Sequence, residues 1–219
     1  MKLIIRAHGI DKKIYEEAKK KNLYIIDFTC PLVSKIHKIA AQYKENNYYI
    51  FLVGSNKHPE IIGTSSCCGK NYSIIQNEDE VENGLEKFFK ARTDKLLLVV
   101  QTTFNKNKFK NIEKNIRKKL DSKVKLVVKN TICNATEQRQ IETEKIAKEV
   151  EVMIIVGGKN SSNTRKLYEI AKEFTNTLLI ETDEELNINE IKKYNKVGIM
   201  AGTSTPVEVI NNVKNKIVL

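Results

Sequence analysis

Short continuous runs of apolar residues alternate with longer amphipathic stretches along the chain. The runs YYIFLVG at 48–54 and VEVMIIVGG at 150–158 are typical of buried strands. After Cys30, apolar side chains instead recur at helical spacing, at positions 32, 33, 36, 39 and 40. Strands that alternate with helices in this way predict an α/β fold with mainly parallel sheets. In such folds the loops at the carboxyl ends of the strands carry the functional site.

The same order of elements occurs twice in one register. Around Cys30 the sequence reads strand, cysteine, amphipathic helix, apolar strand and polar loop, and the segment around Cys133 repeats this order without a gap. The two cysteines are 103 residues apart (133 − 30), and so are Gly54 and Gly157 (157 − 54), which follow the apolar strands. Equal spacing at both landmarks indicates an internal repeat.

The chain is therefore interpreted as successive copies of one α/β module. Residues 1–29 correspond to the second half of a copy, residues 30–130 to a complete copy, and residues 131–219 to a third. We predict three similar modules around a central site, the first of them incomplete. By the repeat argument the first copy needs about 71 further residues, the distance from Cys30 to Gln101, and these would include a third cysteine.

Cys30 and Cys133 both stand at the seam between a predicted strand and a predicted helix. A thiol at a helix N-terminus ionises readily, and the thiolate is the form that binds metal or attacks a substrate. Three such thiolates around a pseudo-threefold axis would suit a [4Fe–4S] cluster that leaves one iron free for a substrate. The alternative is a buried cysteine that only starts a helix. Cys67 and Cys68 lie off this register and are interpreted as packing residues.

The composition is that of an ordinary globular protein, with 41% hydrophobic and 30% charged residues among 219. No apolar run is long enough for a membrane span or a signal peptide, so we predict a cytoplasmic protein without a membrane partner. The net charge is +11, but the lysines are spread over many helices and mixed with glutamate. Without an RNA-binding signature, this charge favours solvated helix faces, then a small anionic substrate, and only remotely nucleic acid.

Several segments together resemble one enzyme family. AHGI, FTCPLVSKIHKIA, HPEIIGT, QTTFN, TICNATEQRQ, GGKNSSNTRKLYEIA and AGTSTPVEVI are similar, in this order, to the 4-hydroxy-3-methylbut-2-enyl diphosphate reductase (LytB) family. The resemblance runs from about Leu3 to the C-terminus. It implies three α/β modules around a central [4Fe–4S] cluster. It also implies reductive removal of an allylic hydroxyl, with two electrons and two protons, to give isopentenyl and dimethylallyl diphosphate in the non-mevalonate pathway.

The resemblance also implies roles for individual residues. Cys30 and Cys133 match two of the three cluster ligands, and Glu60 matches the acid of the H-P-E motif, which would protonate the leaving hydroxyl or the allyl anion. His37 is left as a surface or packing residue. The remaining matches are residues that would contact the diphosphate or lie near the substrate hydroxyl: His8, His58, Thr102, Ser161, Ser162, Asn163 and Ser204.

Each of these motifs also has a plainer interpretation when it is taken alone. HPE could be a turn set by Pro59, with its histidine and glutamate exposed. Either histidine could be a core residue satisfied by backbone. The serines of KNSSNT could simply cap a helix.

The functional prediction is the reductase, with a small allylic diphosphate as substrate and a ferredoxin- or flavodoxin-like protein as electron donor. No dinucleotide fingerprint is present, because VGGKNSSN is not G-x-G-x-x-G. The family's G-F-C-x-G-V segment, which supplies the first cluster cysteine, is missing. The alternative is therefore an inactive truncated remnant, or a split-gene fragment that acts at most as a phosphate-binding or interaction module.

Overall fold

The computed structural model describes residues 1–218, and strands and helices alternate along them. The strands are β1 (Lys2–Ile5), β2 (Tyr24–Asp27), β3 (Tyr49–Val53), β4 (Tyr72–Ile75), β5 (Lys95–Val100), β6 (Lys125–Lys129), β7 (Val152–Val156), β8 (Asn176–Ile180) and β9 (Val197–Ala201). The helices are α1 (Lys12–Lys20), α2 (Pro31–Glu45), α3 (Pro59–Ser65), α4 (Glu80–Lys90), α5 (Lys106–Lys119), α6 (Asn134–Ala147), α7 (Ser162–Lys172), α8 (Ile188–Ile191) and α9 (Val207–Val218), with a 3₁₀ turn at Asp183–Glu185.

The predicted α/β class with parallel sheets is confirmed. Strands β1 and β2 form a two-stranded parallel sheet, and β4-β3-β5-β6 form a four-stranded one. Strands β8-β7-β9 form a three-stranded parallel sheet. In the two larger sheets, the strand after a cysteine-led helix lies between the next two strands of the chain, β3 between β4 and β5 and β7 between β8 and β9. The repeat seen in the sequence is thus matched by a repeated strand order.

The chain divides into two compact units, and each is described by itself. The first runs from Met1 to Ile132 and holds the two-stranded and four-stranded sheets. The second begins at Cys133 and holds the three-stranded sheet.

Both larger sheets are covered on their two faces, which is why their central strands are apolar throughout. In β3, Tyr49 and Phe51 pack in one core cluster, whereas Ile50 and Leu52 pack in the cluster on the opposite face. All five residues of β3 are buried, as are all five of β7. Parallel strands buried on both faces lack the alternation of polar and apolar residues. The continuous runs that marked these strands in the sequence have this origin.

Both cysteines that were predicted at strand–helix seams are the residues that precede helices. Cys30 is the N-cap of α2, with Pro31 in the first helical position, and Cys133 is the N-cap of α6. Proline suits this first position because its missing N–H would have no partner inside the helix in any case. Neither cysteine side chain makes a capping hydrogen bond.

Candidate active site

A buried carboxyl group lies in the first turn of α3, in the first unit. Glu60 is only 1% exposed. Its Oε1 accepts a hydrogen bond from the backbone N–H of Thr102 at 2.8 Å, and its Oε2 accepts one from the Thr102 hydroxyl at 2.6 Å. The interpretation of HPE as an exposed turn is therefore wrong for the glutamate, because both carboxyl oxygens are bonded to the loop after β5.

The surroundings of Glu60 act on its pKa in two directions. Burial, the larger influence, raises the pKa of this carboxyl above its ordinary value, and the two hydrogen bonds from Thr102 lower it. Burial disfavours the ionised form, whereas the two donors stabilise the carboxylate once a proton has left. A carboxyl with both properties can release its proton as a general acid at a higher pH than an exposed glutamate.

Two imidazole rings meet at the start of the helix that carries this carboxyl group. The rings of His8 and His58 meet edge to face, with centroids 5.3 Å apart. His58 is the N-cap of α3, and its Nδ1 accepts a hydrogen bond from the backbone N–H of Glu60 at 3.2 Å. Because Nδ1 is an acceptor, the neutral ring carries its proton on Nε2, which is then a donor. The interpretation of His58 as a backbone-satisfied residue is thus correct for one of its two nitrogens.

Both rings are neutral at pH 7. Burial and the neighbouring His8 lower the pKa of His58 to about 4. Burial and the Arg6 guanidinium lower the pKa of His8. A neutral pair of this kind can donate hydrogen bonds to an anion, and the anion would in turn favour the protonated rings.

The loop that carries Cys30 is bonded to the loop that carries His8. The backbone N–H of Cys30 donates to the carbonyl of Ala7 at 2.9 Å, and that of Phe28 donates to the carbonyl of Ile5 at 3.0 Å. Cys30 is half-buried rather than buried. The first unit thus places Cys30 and His8 on neighbouring strand ends.

Sequence reasoning did not single out Gln101, although it lies in the QTTFN segment. Its backbone N–H donates to the carbonyl of Val53 at 2.8 Å, and its Oε1 accepts from the backbone N–H of Ser55 at 3.1 Å. Gln101 therefore ties the loop after β5, which carries Thr102, to the loop after β3, which leads to Glu60. Its position directly after an apolar strand was the available signal.

In the second unit, the predicted phosphate-binding residues surround the start of α7. Ser161 is the N-cap, and its Oγ accepts from the backbone N–H of Thr164 at 3.4 Å, so its interpretation as a helix cap is correct. Asn163 is 6% exposed, and its Nδ2 donates to the Thr203 hydroxyl at 3.0 Å. Its Oδ1 is buried without a hydrogen-bond partner among the described residues. Thr203, the residue before Ser204, was not singled out from the sequence.

The loop after β9 stands next to this helix start. Ser162 is half-buried in the first turn of α7, and Ser204 is exposed in the turn after Thr203. A cavity of about 410 Å³ opens beside the loop, lined among others by Thr203 and by Arg139 of α6. Arg139 lies in the TICNATEQRQ segment, and sequence reasoning did not single it out because α6 and the loop after β9 come together only in the fold.

All four cysteines are free thiols. Cys68 is 1% exposed, its Sγ contacts the carbonyl of Thr64 at 3.3 Å, and burial raises its pKa to about 12. Burial also raises the pKa of the Cys67 thiol. Protonated thiols packed against a helix are poor metal ligands, which agrees with their interpretation as packing residues. Within residues 1–218, no three His, Cys, Asp or Glu side chains converge as a metal ion would require.

We expect acid to destabilise the protein partly through His58. The unfolded ring takes up a proton near pH 6.5, whereas the folded ring resists protonation down to about pH 4. The stability contributed by the neutral ring is therefore present above pH 6.5 and is lost as the pH falls to about 4. His58→Asn keeps a capping oxygen but cannot titrate. As the pH falls through this window, the native chain should lose stability that the variant keeps. Thermal denaturation should therefore show the melting temperature of His58→Asn rising relative to that of the native chain.

Glu60→Gln is the matched variant, for which we expect the opposite dependence of stability on pH. The raised pKa of Glu60 contributes stability that is present below pH 4.5 and is lost as the pH rises through its folded pKa. The melting temperature of Glu60→Gln should therefore rise relative to the native chain as the pH increases. Differences that do not change with pH for either variant would contradict these assignments.

The fold and the site together define a class of protein. It is an α/β protein with parallel sheets in which a buried acid, two neutral histidines and hydroxyl-rich loops lie at strand ends. The family model described as LytB protein matches residues 1–218, and the chain belongs to this family. Among residues 1–218, no helix combines the length and the apolar character that crossing a membrane requires.

Relatives of known name support this membership. The chain is 42% identical over 211 residues to the 4-hydroxy-3-methylbut-2-enyl diphosphate reductase of Clostridioides difficile (strain 630), which covers 96% of this chain and 73% of that protein. It is 42% identical over 220 residues to the reductase of the same name from Aquifex aeolicus (strain VF5), which covers 98% of this chain and 73% of that protein. The chain thus spans about three quarters of these relatives.

Solved structures agree with the sequence relatives. A structure of (E)-4-hydroxy-3-methyl-but-2-enyl diphosphate reductase, described as the terminal enzyme of the non-mevalonate pathway, matches with a TM-score of 0.63 and 41% identity over 98% of this chain and 75% of that one. The E-1-hydroxy-2-methyl-but-2-enyl-4-diphosphate reductase from Plasmodium falciparum matches with a TM-score of 0.87 and 32% identity, covering 97% of this chain and 66% of that one.

Proposed function

We propose that this chain acts as a 4-hydroxy-3-methylbut-2-enyl diphosphate reductase, which removes the allylic hydroxyl of its substrate to yield isopentenyl and dimethylallyl diphosphate. The family membership supports the reaction class. The observation that carries the residue assignment is the buried carboxyl of Glu60, which is bonded through both oxygens to Thr102.

Glu60 would supply a proton to the oxygen that leaves. Its raised pKa keeps the carboxyl protonated to a higher pH than an exposed glutamate. After the transfer, the carboxylate would keep the two donors of Thr102, so the conjugate base is not left without partners. By the same argument Thr102 would lie near the substrate hydroxyl. The net reaction consumes two electrons and two protons and releases the hydroxyl as water.

Each unit presents uncharged donors that suit a phosphate group. In the first, the Nε2–H of His58 and the neighbouring His8 are available. In the second, α7 presents the positive end of an eleven-residue helix, with Ser161 and Ser162 at its start. Ser204, on the loop after β9, would add a hydroxyl donor.

Asn163 fits this role because the oxygen and nitrogen of its side-chain amide can exchange positions by a flip of the amide group. In that orientation Oδ1 would accept from the Thr203 hydroxyl, and the amide NH₂ would be the donor without a protein partner. This would remove the buried, unpartnered Oδ1 that the other orientation leaves. We therefore assign the amide NH₂ of Asn163 to the diphosphate.

The cofactor in this proposal is a [4Fe–4S] cluster, which would supply electrons and a Lewis-acidic iron. Cys30 and Cys133 fit as ligands in their chemistry, because each is a free thiol at a helix start whose side chain makes no capping bond. They supply two of the three thiolates that the proposal requires. Cys67 and Cys68 do not suit the third position, since their thiols pack against the carbonyls of α3.

One-electron delivery by a ferredoxin- or flavodoxin-like protein and a cytoplasmic location complete the proposal. The free state of all four cysteines is compatible with a reducing compartment.

The direct test is turnover by the chain itself. After anaerobic reconstitution with iron and sulfide, and with a chemical one-electron reductant, we expect the substrate to be converted to both diphosphate products, measured by chromatography. Binding of inorganic pyrophosphate should be measured on the same preparation. Pyrophosphate binding without product would reject the reductase and favour the alternative, a remnant that only binds phosphate.

A further inference from the structure

His37 lies where three elements of the first unit meet. It stands near the middle of α2, the helix that begins after Cys30. A methyl group built on Gly9 would lie 2.9 Å from Cε1 of His37, and one built on Gly63 would lie 3.4 Å from its Nε2. The ring therefore touches the backbone next to His8 and the backbone of α3, one turn after Glu60.

Little space for a side chain is left at either glycine. Gly9 has φ +72°, a conformation that side chains rarely adopt, and the ring occupies the space where its side chain would be. At Gly63 a methyl group would also lie 3.1 Å from the carbonyl oxygen of Ile10. The imidazole thus packs closely against both the loop after β1 and α3.

One nitrogen of this imidazole makes no use of its polarity. Its Nε2 is buried without a hydrogen-bond partner among the described residues. Burial lowers the pKa of His37, and the Asp27 carboxylate only partly opposes this, so the ring is neutral at pH 7. An unpartnered buried nitrogen costs stability, so hydrogen bonding by Nε2 does not explain the place of the ring, whereas its close contacts with the two glycines point to its volume.

We propose that His37 is a positioning residue, whose ring acts as a spacer that holds the His8 loop and the helix of His58 and Glu60 in register. The proposal deepens the proposed function, on which its relevance to diphosphate binding rests. A second tie between the same elements is the backbone N–H of Lys12, which donates to Ser66 Oγ at 3.0 Å. That bond lies at the far end of α3, so the ring sets the distance nearer to the histidine pair.

The test uses the fact that the sequence has only three histidines. Variants at position 37 leave two imidazole rings, whose signals can be followed by NMR during a pH titration. In His37→Ala we expect the pKa of His58 to rise from about 4 by about one unit toward 6.5, because water enters beside the loosened loop. The through-space contact between His8 and His58 should weaken as well. Unchanged titrations and an unchanged ring contact would overturn the proposal.

Two further variants separate volume from hydrogen bonding. His37→Leu keeps most of the volume without a polar atom and should retain the native titrations. His37→Asn keeps a polar group but loses volume and should behave like the alanine variant. The reverse order would overturn the spacer role in favour of a hydrogen-bonding one. If His37→Ala does not fold, this pair carries the test alone.

Val33→Ala is the control for a general loss of packing, since Val33 is 3% exposed on the same helix. It should lower the melting temperature without changing either imidazole pKa. Equal changes in the two pKa values for Val33→Ala and His37→Ala would reduce His37 to an ordinary core residue.

Pyrophosphate titration forms a separate arm, in which His37→Ala should bind roughly tenfold more weakly than the native chain. A native chain that does not bind pyrophosphate would contradict the proposed function, whereas the ring measurements need no substrate or cluster.

Discussion

Replacing Glu60 with glutamine is expected to lower kcat by about 100-fold or more, with little change in pyrophosphate binding. A positioned general acid contributes about 10² to 10⁴ in rate, and the amide cannot donate an acidic proton. The side chains are nearly equal in shape, so the carbonyl oxygen of the amide can still accept from the Thr102 backbone N–H. The measurement is product formation by the reconstituted protein across a range of pH.

The expected loss is chemical, because the substitution should not weaken the fold. Glutamine avoids placing a negative charge in a site that is 1% exposed, and the raised pKa of Glu60 means that ionisation of the native residue opposes folding. Melting temperatures at pH 8 should therefore be at least as high for the variant as for the native chain. Turnover lost together with stability would point to unfolding instead.

Two matched variants complete this experiment. Glu45→Gln makes the same chemical change at an exposed position at the end of α2 and should leave kcat unchanged. Thr102→Val removes the hydroxyl donor but keeps the backbone N–H. It should therefore raise the pKa of Glu60 further and shift the pH–rate profile to higher pH. Native kcat in Glu60→Gln would remove Glu60 from its assigned role as the acid.

Replacing either Cys30 or Cys133 with serine is expected to abolish most iron and sulfide binding. A thiolate ligand has no equivalent in a serine hydroxyl, which stays protonated at neutral pH. Because even indirect supports of a metal site change affinity about 10- to 100-fold, loss of a ligand should cost at least roughly tenfold. The measurement is bound iron, acid-labile sulfide and visible absorbance after anaerobic reconstitution.

The chain contains its own controls for this result. Cys67→Ser and Cys68→Ala remove thiols that pack against α3, and both should retain the iron content and colour of the native protein. Cys68→Ala should also lower stability by about 1 kcal/mol, since it leaves a small cavity at a residue that is 1% exposed. Equal loss of iron in all four variants would indicate adventitious binding to thiols. A native chain that takes up no iron would contradict the cluster.

Much of the fold was predictable because its signals are local. The apolar runs of β3 and β7 reflect burial on both faces of a parallel sheet, and that requirement acts on each residue of the strand. The placement of Cys30 and Cys133 at helix starts followed from the change of period on either side of them. Which strands pair was less accessible, and β6 joins the sheet of the first unit as the neighbour of β5.

The candidate site was predictable as a set of residues but not as a set of contacts. Glu60, Thr102, His8 and His58 were each assigned a role through a family resemblance. Their mutual bonds were not, because residues 42 positions apart, such as Glu60 and Thr102, are joined only after β3 and β5 pair. His37 illustrates the limit, since a histidine inside an amphipathic helix looks the same whether it faces water or two glycines.

The sequence by itself determined the class of fold, the repeated order of strand, cysteine and helix, and the kinds of side chain that stand at the strand ends. These properties depend on neighbours within a few positions, so a periodic pattern records them. Only the tertiary structure decided that Glu60 is buried against Thr102, that the rings of His8 and His58 are in contact, and that Cys68 is buried. Burial and pairing arise when distant segments exclude water between them, and that step sets the protonation states on which the proposed chemistry depends.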